Sequence, residues 1–191
     1  MDEEAYSALL GFYLGDGYIA TADRYYFLRI SCDLLYPGII SDVADLFRRV
    51  RPGGRVFQVP RTGCVDIQLN WRHWPCLFPQ HGPGRKHTRR IALEPWQRRI
   101  VERCPSAFLR GLFHSDGSRS TNTIVRHFAS GPRTYIYPRW QFTNVSDDIR
   151  GLCTWALDLV GIPWRQSSWK TISVSRREAV AALDALIGPK T

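Results

Sequence analysis

A thirteen-residue pattern occurs twice in this chain of 191 residues. Residues 5–17 and 105–117 share Leu, Gly, an apolar residue, an aromatic residue, a small residue, Asp and Gly at the same places. The two Asp-Gly pairs, which begin at Asp16 and Asp116, lie 100 residues apart. A pattern repeated in this way predicts two structural units with the same local fold.

The segments that follow the two Asp-Gly pairs correspond as well. Near alternation of aromatic and β-branched residues predicts strands, and apolar residues at helical spacing predict helices. The order helix, two strands, helix, two strands, helix indicates an α+β protein of two pseudo-symmetric αββαββα half-domains, 1–78 and 105–191. After the repeated segments, the predicted elements are strands at 25–32 and 137–144, helices at 39–50 and 149–160, hairpins at 55–69 and 164–174 with turns near 62–63 and 166–168, and short helices around 71–78 and 176–187.

Residues 79–104 lie between the two half-domains. Pro and Gly at 79–84 are typical of a loop, and the rest of the segment carries seven Lys or Arg residues against two Glu. We expect a surface linker that is partly helical from Pro95. Its basic residues indicate either contact with phosphates or a solvated connector, and the sequence leaves both interpretations open.

The chain is strongly basic, with 26 Lys and Arg against 17 Asp and Glu and a formal charge of +9. A polyanionic partner explains this balance, nucleic acid before a membrane surface. A basic protein without such a partner has the same charge, so the charge alone leaves both interpretations open. All but three of the basic residues are arginines, whose planar fork grips phosphates and guanine edges.

Cysteine content and hydropathy bear on the compartment. Five cysteines, an odd number without a CxxC pair, favour a reducing intracellular environment. No apolar run reaches the roughly 18 residues that a membrane span requires, and the acidic start of the chain is unlike a transit peptide. We therefore expect a cytoplasmic protein, and the arginine-rich composition favours a bacterial source.

Each repeated segment carries small residues at intervals of four, which lie on one face of a helix. Gly inside a helix costs about 1 kcal/mol relative to Ala. Two helices that carry small residues at matching positions are therefore predicted to pack closely against each other. The small residues are Ser7, Gly11 and Gly15 in the first copy and Ala107, Gly111 and Ser115 in the second.

Asp16 and Asp116 end the two predicted helices, and the glycines after them are expected to act as left-handed caps. A carboxylate at this position faces the negative end of the helix dipole. If the helices pack side by side and in parallel, the carboxylates converge, so that either one is protonated or cations lie between them. Carboxylate and main-chain oxygens suit Mg²⁺, which can activate water for phosphodiester hydrolysis.

Residues 9–17 (LLGFYLGDG) and 109–117 (LRGLFHSDG) resemble the motif of the LAGLIDADG homing endonucleases. The two resembling units cover nearly the whole chain. The resemblance implies a monomer in which the motif helices form the interface and two four-stranded sheets make a saddle over double-stranded DNA. It implies an endonuclease that cuts both strands of a long, specific site across the minor groove and leaves 3′ overhangs. The sixth motif position, often acidic in the family, is Leu14 in one copy and His114 in the other.

The resemblance also assigns roles to individual residues. It implies that Asp16 and Asp116, aided by the carbonyls of Gly15 and Ser115, bind Mg²⁺ or Mn²⁺, with Ca²⁺ as a non-catalytic substitute. The family uses a basic residue near the active site, and Lys170, in the predicted last strand, is similar to that residue. The first half has no lysine at the corresponding place.

Side chains that read DNA are expected on the sheets, because Arg, Asn and Gln pair with guanine or adenine edges in the major groove. Their direction depends on strand register, since a slip of one residue inverts the face. Two of them, Gln141 and Asn144, fall where the family often places polar side chains that face the active site or the bases. The candidates are Arg24, Arg29, Arg55, Gln58, Arg61, Gln68, Arg119, Arg126, Arg139, Gln141, Asn144 and Arg165.

Two other functions suit the same scaffold, a non-catalytic DNA-binding regulator and an RNA-splicing maturase. Retention of both aspartates argues against the regulator, because a protein that only binds DNA needs neither. The chain has no P-loop, no GxSxG and no dinucleotide-binding fingerprint. A zinc site is disfavoured, since the spacing of His73, Cys76, His81 and His87 matches no pattern of paired ligands.

Overall fold

The computed structural model describes residues 1–191, which form seven α-helices and two four-stranded antiparallel sheets. This architecture confirms the predicted α+β class and the repeated element order. The first half comprises α1 (Glu3–Asp16), β1 (Gly17–Thr21), β2 (Tyr26–Asp33), α2 (Pro37–Val50), β3 (Val56–Arg61), β4 (Cys64–Trp71) and α3 (Trp74–Leu77). A 3₁₀ turn (Lys86–Thr88) and α4 (Pro95–Arg103) follow it. The second half comprises α5 (Pro105–Asp116), β5 (Gly117–Phe128), β6 (Gly131–Thr143), α6 (Asp147–Leu159), β7 (Arg165–Ser168), β8 (Thr171–Val174) and α7 (Arg177–Ile187).

Each sheet has one face covered by helices and one open face. The strand order is β1-β2-β4-β3 in the first sheet and β5-β6-β8-β7 in the second. Ile30 on β2 and its partner Ile67 on β4 are fully buried, as are Phe142 on β6 and its partner Ile172 on β8. Because side chains alternate along a strand, the neighbours of these core residues lie on the open faces.

The helices behind the sheets form where apolar residues recur at helical spacing. In α2, Ile39, Val43, Phe47 and Val50 are buried and line one stripe of the helix. The hydroxyl of Ser146 accepts a hydrogen bond from the backbone of the first turn of α6 and so caps that helix. None of the seven helices combines the length and the apolar character that crossing a bilayer requires.

Helices α1 and α5 cross where only glycine fits. A Cβ built on Gly11 would lie 2.4 Å from the carbonyl oxygen of Phe108, and one on Gly111 would lie 2.1 Å from that of Ala8. Both distances are far shorter than a van der Waals contact, so the two backbones touch directly. The small-residue stripe therefore serves as predicted, by allowing the helices of the two halves to pack at the centre of the molecule.

The prediction of left-handed caps after the two aspartates is wrong. Gly17 has φ −86° and Gly117 has φ −91°, both extended conformations, because the chain passes straight from each helix into a strand. Glycine is needed there for a different reason. A Cβ would lie 2.4 Å from the Cα of Tyr13 in the first half and 2.3 Å from the carbonyl oxygen of Phe113 in the second.

The segment between the halves is more than a surface linker. Helix α4 begins at Pro95, as predicted, and its residues Ile100 and Val101 are buried in a core cluster that spans both halves. Gln97 is fully buried and donates a hydrogen bond of 2.7 Å to the hydroxyl oxygen of Tyr6 on α1. Residues 79–94 were expected to be a loop, and the structure gives them only the 3₁₀ turn.

The last hairpin of the second half turns later than predicted. Its strands are β7 and β8, and the turn falls at Trp169 and Lys170 rather than at 166–168. Lys170 therefore lies in a turn and not in the last strand. All four residues of β7 are exposed, so no alternation of apolar and polar residues marks a buried face in this strand.

Candidate metal centre and nucleic-acid interface

The C-terminal ends of α1 and α5 meet at one point. A Cβ built on Gly15 would lie 2.0 Å from Ser115 Oγ and 3.3 Å from the carboxyl carbon of Asp116. Asp16 is exposed at the mouth of this site, and Asp116 is partly buried. Desolvation by the surrounding protein and the neighbouring Asp116 carboxylate raise the pKa of Asp16 to about 6. Burial also raises the pKa of Asp116, and the positive charges of Lys86 and Lys190 act to lower the pKa of both carboxylates, so the two carboxylates share one electrostatic environment.

Two cavities, of about 510 and 380 Å³, open at the helix ends. Equivalent residues of the internal repeat line them, so the cavities are pseudo-symmetric. Each combines the aspartate of one half with the end of the motif helix of the other half and with one lysine. The first contains Asp116, Gly15 and Lys86, and the second contains Asp16, Ser115 and Lys190.

Lys86 reaches into the first cavity from the 3₁₀ turn. Its Nζ donates hydrogen bonds to the carbonyl oxygens of Gly15 at 2.6 Å and Gly17 at 3.0 Å, and to that of Tyr13. These carbonyls lie at or just beyond the C-terminal end of α1, where the helix dipole attracts a cation. Burial lowers the pKa of Lys86 to about 8, although both aspartates oppose the shift.

Lys190 occupies the equivalent place in the second cavity. Its Nζ donates to the carbonyl oxygens of Ser115 at 3.2 Å and Gly117 at 3.0 Å, at the end of α5. Burial lowers its pKa, and the aspartates again oppose the shift. The two halves therefore present the same arrangement, in which each helix end binds an ammonium group.

Neither of these lysines is among the site residues predicted from the sequence. The chain has only three lysines, and both Lys86 and Lys190 follow a Gly-Pro pair, as GPGRK and GPK. That shared pattern was a usable signal. Lys170, the predicted basic residue, is exposed in its turn, and its Nζ lies 5.7 Å from the centre of the Trp169 ring. Lys86 and Lys190, not Lys170, donate hydrogen bonds at the site.

Asn144 supports one of the two carboxylates. Its Nδ2 donates a hydrogen bond of 2.6 Å to Asp116 Oδ2, and its Oδ1 accepts one of 2.8 Å from the backbone of Ser146. The side chain therefore faces the site. The sheet registers place Cys32 at the equivalent position of the first half, and burial raises its thiol pKa to about 12. The Cys32 thiol donates to the carbonyl oxygen of Ile30 rather than to Asp16, so the two carboxylates differ in their support.

The donors at the helix ends fit a hard divalent ion. They are the carboxylates of Asp16 and Asp116 and the carbonyls of Gly15 and Ser115, and oxygen-only sets suit Mg²⁺ and Mn²⁺. No three His, Cys, Asp or Glu side chains are gathered for metal binding, so an ion here would rely on main-chain oxygens as well. Both carbonyls already accept hydrogen bonds from a lysine.

Three candidate DNA-reading residues of the first sheet lie on its open face. Arg29 is directly opposite Gln68, and Arg61 lies on the same side. The buried carboxylate of Asp66 forms ion pairs with Arg29 at 3.4 Å and with Arg61 at 3.0 Å. These pairs hold the arginine side chains in place beside Gln68. Two further exposed candidates of this half, Arg24 and Arg55, lie outside the strands.

Two candidates point to the helix-covered side instead. Gln58 is opposite the buried Ile67, on the edge strand β3. Arg119 is opposite the buried Trp140 and forms an ion pair of 2.9 Å with Asp184 of α7. Gln58 and Arg119 therefore do not lie on the open faces, where side chains that read DNA were expected. The register, which sequence patterns fix poorly on short or exposed strands, decides both positions.

The remaining strand candidates of the second half lie on the open face of its sheet. Gln141 on β6 pairs with Ser173 on β8, and Ser173 pairs in turn with Arg165 on β7. The guanidinium of Arg139 donates to the hydroxyl of Ser120 at 3.2 Å. The open-face candidates of this sheet are Arg126, Arg139, Gln141 and Arg165.

Strands β5 and β6 extend beyond the second sheet as a two-stranded ribbon. Strand β8 pairs with β6 only from Trp140 to Thr143, whereas β5 and β6 remain paired to Phe128 and Gly131. The eight pairs beyond Ser120 span about 26 Å at roughly 3.3 Å per residue. Residues 117–146 include four arginines and no acidic residue. The first sheet has no such extension, because β4 pairs with the whole of β2.

Comparison with known proteins bears on the fold. No family model matches the chain, and no curated protein matches it in sequence. Solved structures do match. I-DmoI in complex with DNA and Mn is 12% identical with a TM-score of 0.60, covering 99% of each chain. The N-terminal LAGLIDADG domain of DUF199/WhiA is 14% identical with a TM-score of 0.60, covering 100% of this chain and 84% of that one. The I-SmaMI LAGLIDADG homing endonuclease bound to cleaved DNA is 11% identical with a TM-score of 0.53, covering 96% and 83%.

This chain has the LAGLIDADG homing endonuclease fold. The similarity extends over nearly the full length of both I-DmoI and this chain, which confirms the resemblance drawn from the two motifs. The LAGLIDADG fold is shared by proteins described as homing endonucleases and by WhiA, for which a LAGLIDADG domain is named.

Proposed function

We propose that this chain is a site-specific endonuclease that hydrolyses both strands of double-stranded DNA with divalent metal ions, as a monomer that leaves 3′ overhangs. Asp16 and Asp116 would hold Mg²⁺ or Mn²⁺ with the carbonyls of Gly15 and Ser115. The ion supplies Lewis-acid stabilisation of the phosphodiester and activation of water. The open faces of the two sheets would bind the DNA.

The observation that carries the proposal is the meeting of the two motif helices at their acidic ends. Gly15 and Ser115 are in direct contact, and each of the two cavities contains one aspartate. Two equivalent cavities suit a reaction that cuts two strands, one at each cavity. Asn144 holds the Asp116 carboxylate in place through its 2.6 Å hydrogen bond.

A non-catalytic DNA-binding regulator is the second candidate function. The observation that favours it is the pair of lysines, because Lys86 and Lys190 already place two positive charges beside the two aspartates. The fold alone does not distinguish the two candidates, because both would use the same open sheet faces to bind DNA. Cleavage is the property that separates them.

The experiment is a cleavage assay on a supercoiled plasmid library that carries randomised inserts. The endonuclease predicts linear products in Mg²⁺, none in excess chelator, and a recurring sequence at the cut ends. Tight binding of duplex DNA without any cut would favour the regulator. Tighter binding of intron RNA than of duplex DNA would favour a maturase instead.

Changing Arg126 and Arg133 together to Ala is expected to weaken DNA binding and shorten the footprint on one side of the site. Both arginines lie opposite each other on the open face of the ribbon, near the rings of Tyr135 and Phe128. Loss of two phosphate contacts would make the slope of log affinity against log salt shallower by about 2. Fluorescence anisotropy with a mixed-sequence duplex measures this effect.

Arg119→Ala is the matched control for the ribbon. It removes one arginine from the same hairpin, but this side chain pairs with Asp184 on the helix-covered side. We expect its salt slope to match that of the wild type. An unchanged slope and footprint in the double variant would show that the ribbon does not touch DNA.

A further inference from the structure

We propose that Lys86 and Lys190 are built-in counter-ions that hold the carbonyl ligands of the site when no divalent ion is bound, and that an ion entering either cavity must displace the lysine. The proposal rests on the proposed function only in taking Asp16 and Asp116 as metal ligands. It does not require that DNA be cut.

The carbonyl oxygens of Gly15 and Ser115 are the main-chain donors available to a metal ion, and each accepts a hydrogen bond from a lysine. An ammonium group has three hydrogens to donate, and Lys86 uses three carbonyls at one helix end. Because these oxygens surround the ammonium nitrogen, the lysine occupies the position that a cation at this helix end would take.

The charges of the site balance when no metal ion is bound. Two carboxylates and two ammonium groups sum to zero, so the cluster of Asp16, Asp116, Lys86 and Lys190 is neutral without any metal. Each divalent ion adds two positive charges close to a lysine, and like charges at this distance repel strongly in a partly buried site. Retraction of the lysine relieves the repulsion and frees the carbonyl in the same movement.

The contact between a lysine and a motif-helix carbonyl occurs in both cavities. Lys86 lies in the 3₁₀ turn and Lys190 lies after α7, and each follows a Gly-Pro pair. Lys86 donates to the carbonyl oxygen of Gly15, and Lys190 donates to that of Ser115. Two unrelated loops would have no reason to place a lysine on equivalent carbonyls. The repetition indicates that the contact belongs to the working of the site.

The test on the wild-type protein is lysine acetylation followed by mass spectrometry, with and without Mn²⁺. The chain has only three lysines, and the exposed Lys170 is an internal reference. Without Mn²⁺, acetylation of Lys86 and Lys190 should be at least about ten-fold slower than that of Lys170. With saturating Mn²⁺ both should accelerate towards the Lys170 rate. Protection that persists or increases when Mn²⁺ is bound would overturn the proposal.

The second measurement is Mn²⁺ affinity by titration calorimetry for the wild type, Lys86→Met and Arg85→Met. Arg85→Met is the matched control, because Arg85 lines the same cavity but is exposed and donates to none of these carbonyls. We expect Lys86→Met to bind Mn²⁺ about ten-fold more tightly and Arg85→Met to change far less. An equal rise in Mn²⁺ affinity in both variants would show that only the lost positive charge matters, which would contradict displacement of the lysine. Weaker Mn²⁺ binding by Lys86→Met, or no Mn²⁺ binding by any of the three proteins, would also contradict it. Absence of DNA cleavage alongside the expected results would refute the endonuclease while leaving this inference standing.

Discussion

Asp16→Asn is expected to abolish double-strand cleavage while the variant still binds duplex DNA. The amide has lost the negative charge that holds a divalent ion, so the cavity containing Asp16 can no longer stabilise the transition state. Removing an electrostatic contact of this kind lowers the rate by about 10³-fold. Asp116 remains in the other cavity, so at most one strand should be nicked. The conversion of supercoiled plasmid into linear and nicked forms measures both outcomes.

Asp45→Asn is the control for this change. Asp45 is exposed on α2, away from the helix ends, and the substitution removes the same charge. We expect normal cleavage, and normal thermal unfolding in both variants. Linear product from Asp16→Asn at the wild-type rate would disprove the assignment of Asp16 as a metal ligand.

Gly111→Ala is expected to lower the free energy of unfolding by about 3 kcal/mol. The added Cβ would lie 2.1 Å from the carbonyl oxygen of Ala8 and 2.7 Å from the backbone nitrogen of Phe12. Both contacts are with backbone of a buried helix, so neither can move without separating α1 from α5. Urea unfolding followed by circular dichroism measures the loss. Cleavage should fall as well, because the same separation moves the two aspartates apart.

Gly151→Ala is the matched substitution in a helix without such a neighbour. Gly151 is exposed on α6, and a Cβ there would meet nothing within 4 Å. Ala favours the helix by about 1 kcal/mol relative to Gly, so this variant should be slightly more stable than the wild type. Equal stability of the two variants would show that close packing of α1 on α5 is not what requires glycine.

The order of elements and the position of the helix pair could be predicted from the sequence, because both follow from local patterns that occur twice. The small-residue stripe identified the contact at Gly11 and Gly111. The acidic helix ends were identified for the same reason. The conformation of Gly17 could not be predicted, since an extended and a left-handed residue both end a helix and only the following strand decides between them.

The lysines and the faces of single side chains depend on contacts between distant residues. Lys86 binds a carbonyl 71 positions earlier in the chain, and no periodicity in a loop marks such a contact. The direction of Arg119 depends on pairing between β5 and β6 and on Asp184 far along the chain. The sequence pattern predicts Lys170 in a strand because the exposed residues of β7 do not mark where the hairpin turns. Each of these errors arose where the strand was exposed or the segment irregular.

The most direct measurement is anomalous diffraction from crystals of the protein grown with Mn²⁺. We expect a manganese peak in each cavity, one within about 2.2 Å of a carboxylate oxygen of Asp16 and one equally close to Asp116. Absence of manganese from both cavities at saturating concentration would contradict the assignment of the two aspartates as metal ligands.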